Sequence, residues 1–255
     1  MLIRTAIASG PAAPEPYTVT QLLGEGEAGA TGSVTVEVLA SGATSPPQPT
    51  AAETVSFLLG GCLSDDGADK PLLAGDAMFH PAGCLRSFRN IGSEPASLFV
   101  VRSKTTEGCS GAEIGAVAQR VSLEVADDPQ LDRASGFISM GVRWLATRDT
   151  IGTCNVTLGT STFEPGGQHD RHRHPHALEF LLVVSGGGMH LTQDGATPLT
   201  YGQLVLIGAG EWHGFRTDPG VTTRTVFGYL GAASLSEAGY ELLPDDDATN
   251  AIANS

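Results

Sequence analysis

Long apolar runs are missing from this chain: none approaches the roughly 18–20 residues that a membrane-spanning helix requires. Its start, Met1-Leu2-Ile3-Arg4 followed by a Gly/Pro/Ala stretch, lacks the apolar centre of a secretory signal. Charge is scarce at 16% of residues, and one-sided: 14 Lys and Arg stand against 28 Asp and Glu, a formal net charge of −14. So acidic a surface repels phosphate backbones and anionic lipid, so neither nucleic acid nor a membrane is an expected partner. No helix-turn-helix, Rossmann fingerprint, phosphate-binding loop or Ser-His-Asp context appears. The four cysteines, Cys62, Cys84, Cys109 and Cys154, have no C-x-x-C spacing, so reduced thiols in a cytoplasmic protein are expected.

What is abundant is glycine, at 33 residues, with 15 prolines and 41% hydrophobic residues. That mixture suits short strands and many turns, so the expected class is all-β. Strand-like runs occupy 33–39, 54–59, 97–102, 155–162, 179–184, 204–207 and 222–230, separated by Gly, Pro and Asp clusters. Helical signal is confined to 111–119 and 234–239. Gly186-Gly187-Gly188 reads as a hairpin turn, and Asp245-Asp246-Asp247 as part of a solvated acidic tail.

The chain also resembles itself. Gly75-x5-Pro81-x-Gly83-x2-Arg86-x3-Asn90 aligns with Gly202-x5-Gly208-x-Gly210-x2-His213-x3-Thr217 at a constant offset. Upstream, Glu53-x6-Gly60 aligns with Glu179-x6-Gly186 at an offset shorter by one. A tandem duplication follows: a first domain over 1–104, a connector over 105–149, and a second domain over 150–255 that ends in the acidic tail.

Only the second copy carries a full set of metal-binding side chains, in the order Gly166-x5-His172-x-His174-x4-Glu179-x6-Gly186 and then His213. Residues two apart on a strand share a face, so His172 and His174 converge on one point. Glu179 follows a turn containing Pro175, and His213 arrives from a later strand. Three imidazoles and a carboxylate suit one divalent transition metal, Fe2+ or Mn2+ first, with Zn2+, Ni2+, Co2+ and Cu2+ also compatible. Four protein ligands on an octahedral ion leave two positions open, the mark of a catalytic rather than a structural site.

These motifs resemble those of the cupin superfamily, G-x5-H-x-H-x3-4-E-x6-G and G-x5-P-x-G-x2-H-x3-N, and their duplication resembles a bicupin. Gly208 and Thr217 depart from the second motif at turn positions and leave the ligands intact. The resemblance implies two tandem cupin (double-stranded β-helix, jelly-roll) barrels, the first degenerate and without metal. It further implies an oxidoreductase that binds iron or manganese and acts on a small oxygenated molecule with O2, a dioxygenase-type reaction. Isomerisation, dehydration or hydrolysis without redox is the alternative; ureidoglycine aminohydrolases match this architecture, though with a different ligand pattern. A non-catalytic binding barrel stands third.

Around the four ligands, Glu179 is also a candidate base and His176 a candidate proton shuttle. His169 and His176 match no ligand position and are read as neighbours of the site, whereas His80 and His190 are read as ordinary strand or turn residues. Trp212, Phe215 and Arg224 are candidate pocket residues, Arg224 for a substrate carboxylate. The expected partner is a small-molecule substrate, and self-association is left open. In the first copy Arg86 takes the place of His213, and a guanidinium has no lone pair for a metal. Gln48 and Thr50 stand where the paired histidines belong. Glu53, the apparent survivor, is expected to pair with Arg86 inside the vestigial pocket.

Overall fold

The computed structural model describes residues 1–7, 15–65, 70–104, 118–121 and 131–244. All seven expected strands are present, as Gly32–Leu39, Glu53–Gly60, Ala96–Ser103, Val156–Arg173, Leu178–Ser185, Gln203–Ile207 and Thr223–Leu230. The sequence 234–239 contains the short helix Leu235–Ala238, whose first turn Ser234 caps by accepting from the Glu237 amide at 3.2 Å. Most of the expected helix at 111–119, the tail at 245–255 and Cys109 lie outside the described residues; Gln119–Val121 is a strand. Among the described residues, no helix is long and apolar enough to cross a membrane.

The strands build two tandem barrels with the same strand order. The first barrel's main sheet runs Gln119–Val121, Ala77–His80, Glu53–Gly60, Ala96–Ser103, Gly32–Leu39, Tyr17–Leu23. In the second the order is Leu2–Thr5, Gln203–Ile207, Leu178–Ser185, Thr223–Leu230, Val156–Arg173, with Phe137–Ala146 beside the last. The far wall of the second barrel adds His213–Thr217, Gly187–Thr192 and Gly195–Thr200. Each sheet takes its edge strand from the segment that precedes the other barrel. Leu2 pairs with Leu206, and Gln119 pairs with Phe79. Their pairings join segments on either side of 104 or 150, as does that of Phe137–Ala146 with Val156–Arg173.

Alternation sorts the side chains onto two faces. One face of each main sheet packs against the other barrel in a shared core that includes Val55, Phe57 and Phe99 from the first and Phe180, Leu182 and Leu206 from the second. The Phe99 and Phe180 rings meet there at 5.6 Å. The opposite faces fill the two barrel interiors.

Strand pairing corrects the alignment of the two copies. Gly75 donates its amide to the Leu58 carbonyl at 2.8 Å, and Gly202 donates to Val183 at 2.9 Å. Thr54 pairs with His80 as Glu179 pairs with Ile207. The residue equivalent to Glu179 is therefore Thr54, and Gly61, not Gly60, matches Gly186. A slip of one residue moves a side chain to the other face of a strand. Glu53 accordingly points to the interface between barrels, where its carboxylate accepts the amides of Cys154 and Asn155 at 2.8 and 2.5 Å. Burial pushes its carboxyl up, against the opposing effect of those bonds.

The expected Arg86–Glu53 pair is thus absent. Arg86 instead bonds Glu37 through both terminal nitrogens, at 2.9 and 3.3 Å, and Ser56 through Nε at 3.0 Å. Arg102 joins the same Glu37 carboxylate at 2.6 Å.

Two further expectations change. Gly187 and Gly188 lie within a strand, and the tight hairpin comes later, where Thr192 pairs with Gly195. At Gly186 the chain instead crosses between walls of the barrel with φ +75, and a Cβ there would sit 2.6 Å from the Thr222 carbonyl. Cys62 and Cys84 are free thiols, but Cys154 is disulfide-bonded.

Candidate metal centre

His172 lies near the end of Val156–Arg173, and His174 just beyond it. The turn at Pro175 leads to Leu178–Ser185, in which Glu179 is the second residue. His213 opens His213–Thr217 and pairs directly with His172. All four side chains are buried inside the second barrel, and one ligand atom from each lies within 4.8 Å of the others.

Each imidazole is fixed from behind. The Nδ1 atoms of His172, His174 and His213 lie 2.8, 2.5 and 2.9 Å from the backbone carbonyls of Asp170, Gly239 and Glu211. A carbonyl can only accept, so each Nδ1 carries a proton and each Nε2 faces inward, able to give its lone pair to a metal once any proton shared with Glu179 is released. The Glu179 Oε2 atom stands 2.8 Å from His213 Nε2, 3.1 Å from His174 Nε2 and 4.0 Å from His172 Nε2. The Nε2 atoms of His172 and His174 are buried without a hydrogen-bond partner. Ligands about 2.0–2.2 Å from a common ion lie about 3–4.4 Å apart, so this donor set fits a divalent metal, with its spacing within a few tenths of an ångström of that range.

Burial would push the Glu179 carboxyl up, but the charge of His213 and the close approach of the His213 and His174 rings hold it well below the usual carboxylate range. Glu179 in turn raises His213 against the effect of its burial. Burial drives His172 well below the imidazole range, His169 to about 3 and His190 to about 4. These rings are neutral at ordinary pH, the state in which an imidazole can bind metal.

The cavity above the four residues is largely apolar, walled by Phe137, Met140, Trp144, Phe163, Phe215 and Phe227 among others. Among the described residues no Lys or Arg lines it. Its free space is about 30 Å³, where one water needs about 10–15 Å³, so two or three small groups fit.

Of the other sequence candidates, Phe215 lines this cavity and Phe163 packs against it at 5.0 Å. His169 also lines it, its ring stacked on His172 at 3.8 Å. His176 is not brought to the site: it is exposed on the turn, outside the cavity. Trp212 is also outside, beneath the Arg173 guanidinium at 4.6 Å. Arg224 is exposed on the outer face and borders a groove between the barrels. Its strand pairs it with Thr162, whereas its neighbour Thr225 pairs with inward-facing Ser161.

Sequence reasoning missed His190, Tyr229 and Tyr240. His190 lines the cavity with its ring nearly parallel to that of His213, and Tyr229 packs 4.6 Å from His174. His190 directly opposes Phe215, a register that only strand pairing reveals.

At the equivalent point of the first barrel, Gln48 pairs with Arg86 as His172 pairs with His213. The positions equivalent to His172, His174, Glu179 and His213 there hold Gln48, Thr50, Thr54 and Arg86. Glu37 matches Ser161, and Arg102 matches Tyr229 (Arg102 pairs with Thr54 as Tyr229 pairs with Glu179). A bonded Arg–Glu–Arg cluster thus takes the place of the donor set.

Residues 159–226 match the model of the cupin domain, and no curated protein matches the chain in sequence. Among solved structures, the putative glyoxylate-induced protein of Pseudomonas aeruginosa superposes with a TM-score of 0.69 at 15% identity, over 92% of this chain and 86% of that one. The oxalate decarboxylase of Lactobacillus farciminis in its formate complex gives 0.67 at 11%, over 100% and 94%. A cupin 2 conserved barrel domain protein from Leptotrichia buccalis gives 0.59 at 12%, over 90% and 96%. At such identities the likeness concerns the fold. Residues 159–226, which hold all four converging side chains, match the cupin-domain model, and the chain as a whole shares its fold with these solved structures.

Proposed function

We propose that the chain is a bicupin enzyme that holds one divalent metal, Fe2+ or Mn2+, through His172, His174, Glu179 and His213, and oxidises a small oxygenated molecule with O2. The observation that carries the reading is the convergence of three Nε2 atoms and a carboxylate in a buried pocket, with two of those Nε2 atoms unpartnered. A solved neighbour named as an oxalate decarboxylase supports enzymatic use of such a barrel.

When bound, a redox-active metal supplies the electron chemistry that dioxygen requires. The chain's own residues do the rest. The apolar wall excludes bulk water and suits a nonpolar gas, which favours oxidation over hydrolysis. Among the described residues Glu179 is the one carboxylate lining the cavity, and it is the proposed base for an acidic substrate proton. With no Lys or Arg among the described residues of the wall, a dicarboxylate would find no counter-charge there beyond the metal. The proposed substrate is therefore neutral or singly charged and chelating, of the enol or α-hydroxycarbonyl kind. A cytoplasmic location rests on reduced thiols, and the disulfide at Cys154 weighs against it.

The test is elemental analysis of protein purified without added metal, followed by oxygen-uptake assays with enolic substrates. Iron or manganese with substrate-dependent uptake supports the proposal. Undiminished turnover under strict anaerobiosis contradicts it in favour of Lewis-acid chemistry.

A further inference from the structure

The three imidazoles are not supported in the same way. His172 and His213 each lean on a carbonyl two residues back in their own segment, Asp170 and Glu211. The carbonyl behind His174 belongs to Gly239, which is 65 residues away. Gly239 begins a hook that runs back along the ligand strand. Leu242 pairs with His172 and Glu241 with Arg173, while the Leu243 amide donates to Arg171 at 2.8 Å. At the other end the His176 amide donates to Ala238 at 3.0 Å. The hook therefore grips the segment containing His172 and His174 on both sides of those residues.

Tyr240, at the hook's centre, lines the cavity and places its ring 5.1 Å from His172 and 5.8 Å from His174. Its hydroxyl donates to the Ser135 carbonyl at 2.5 Å and is 3.1 Å from His169 Nε2. Having given its proton to Ser135, it accepts from His169, whose ring stacks on His172. Glycine is required where the hook turns. Gly239 has φ +76 and ψ 158, and a Cβ there would sit 2.9 Å from Pro175 Cδ.

We infer that residues 239–243 are a positioning element for the metal centre: the Gly239 carbonyl and Tyr240 set the rings of His174 and His172, and metal binding locks the hook in return. The inference rests on the metal reading above. By linkage, what the hook adds to metal affinity the metal adds to the hook's docking. Outer partners of metal-bound histidines typically contribute about 10–100-fold in affinity.

The test uses the full chain with Co2+ or Zn2+ alone. Gly239→Ala displaces the supporting carbonyl; it is expected to weaken Zn2+ binding by about 10–100-fold, measured against a competing chelator, and to shift the visible bands of bound Co2+. Gly220→Ala is the control: Gly220 has φ +86 in a turn with open space around its Cα, so it carries similar strain and is expected to bind both ions as the unaltered protein does. Should Gly239→Ala fail to fold, hydrogen exchange on the unaltered protein decides. Zn2+ is expected to slow exchange at the His176 and Leu243 amides. Unchanged affinity and spectrum in Gly239→Ala, or unchanged exchange of those amides in protein that binds one Zn2+, overturns the inference. An unaltered protein that binds neither ion overturns the metal reading, and the inference with it.

Discussion

Thr54 and Glu179 occupy one place in two barrels: Thr54 pairs with His80 and Arg102, and Glu179 with Ile207 and Tyr229. One barrel thus has a hydroxyl where the other has its carboxylate. The difference extends around both interiors, where the Arg86–Glu37–Arg102 cluster replaces the converging imidazoles. Buried charge is retained in both barrels, as two guanidiniums on one carboxylate in the first and as a cluster of imidazoles around a carboxylate in the second.

Arg86→Ala should leave metal content unchanged while destabilising the fold. Arg86 is buried and holds Glu37 by two bonds. Removing one partner of a buried pair typically costs about 3–5 kcal/mol. Denaturant unfolding beside metal analysis checks both halves of this expectation.

Glu37 also sets a pH dependence. Burial would raise its carboxyl, but Arg86 and Arg102 outweigh that and hold it below the usual range. A carboxyl depressed in the folded state stabilises fully above its unfolded pKa of about 4.3, and that contribution is lost as pH falls through the folded value. Glu37→Gln should therefore be less stable at neutral pH, with a flatter loss of stability below about pH 4. Unfolding midpoints measured across that range test the sign.

Glu53→Ala should behave as an interface variant. Its carboxylate accepts two amides from the start of the second barrel, so a loss of about 1–3 kcal/mol is expected with metal content intact. Had Glu53 been the true counterpart of Glu179, its removal would disturb the first barrel's interior instead, and the Arg86 cluster with it.

Arg224→Ala and His176→Ala should leave metal affinity and substrate KM unchanged, since both residues are exposed and neither lines the cavity. Steady-state kinetics on the identified substrate checks this.

The sequence made the cluster of His172, His174, Glu179 and His213 legible because the decisive spacings are short. The alternation of His172 and His174, the turn before Glu179 and the turn ahead of His213 are all local. The rest depended on which strand lies beside which. Glu53 was misplaced by a single step of register, which reverses the face of every residue in a strand. Arg86 found Glu37 rather than Glu53 for the same reason. His190 and Tyr229 reach the cavity only through the curl of the sheet. Tyr240 reaches it because a segment beyond the barrel's last long strand folds back along the ligand strand.

The most direct test of the metal centre is the metal content of purified protein by elemental analysis, compared between the unaltered chain and His213→Ala. One transition-metal ion per chain, lost or greatly reduced in the variant, is the expected result. Undiminished metal in His213→Ala would contradict the assignment of His172, His174, Glu179 and His213 as a single site.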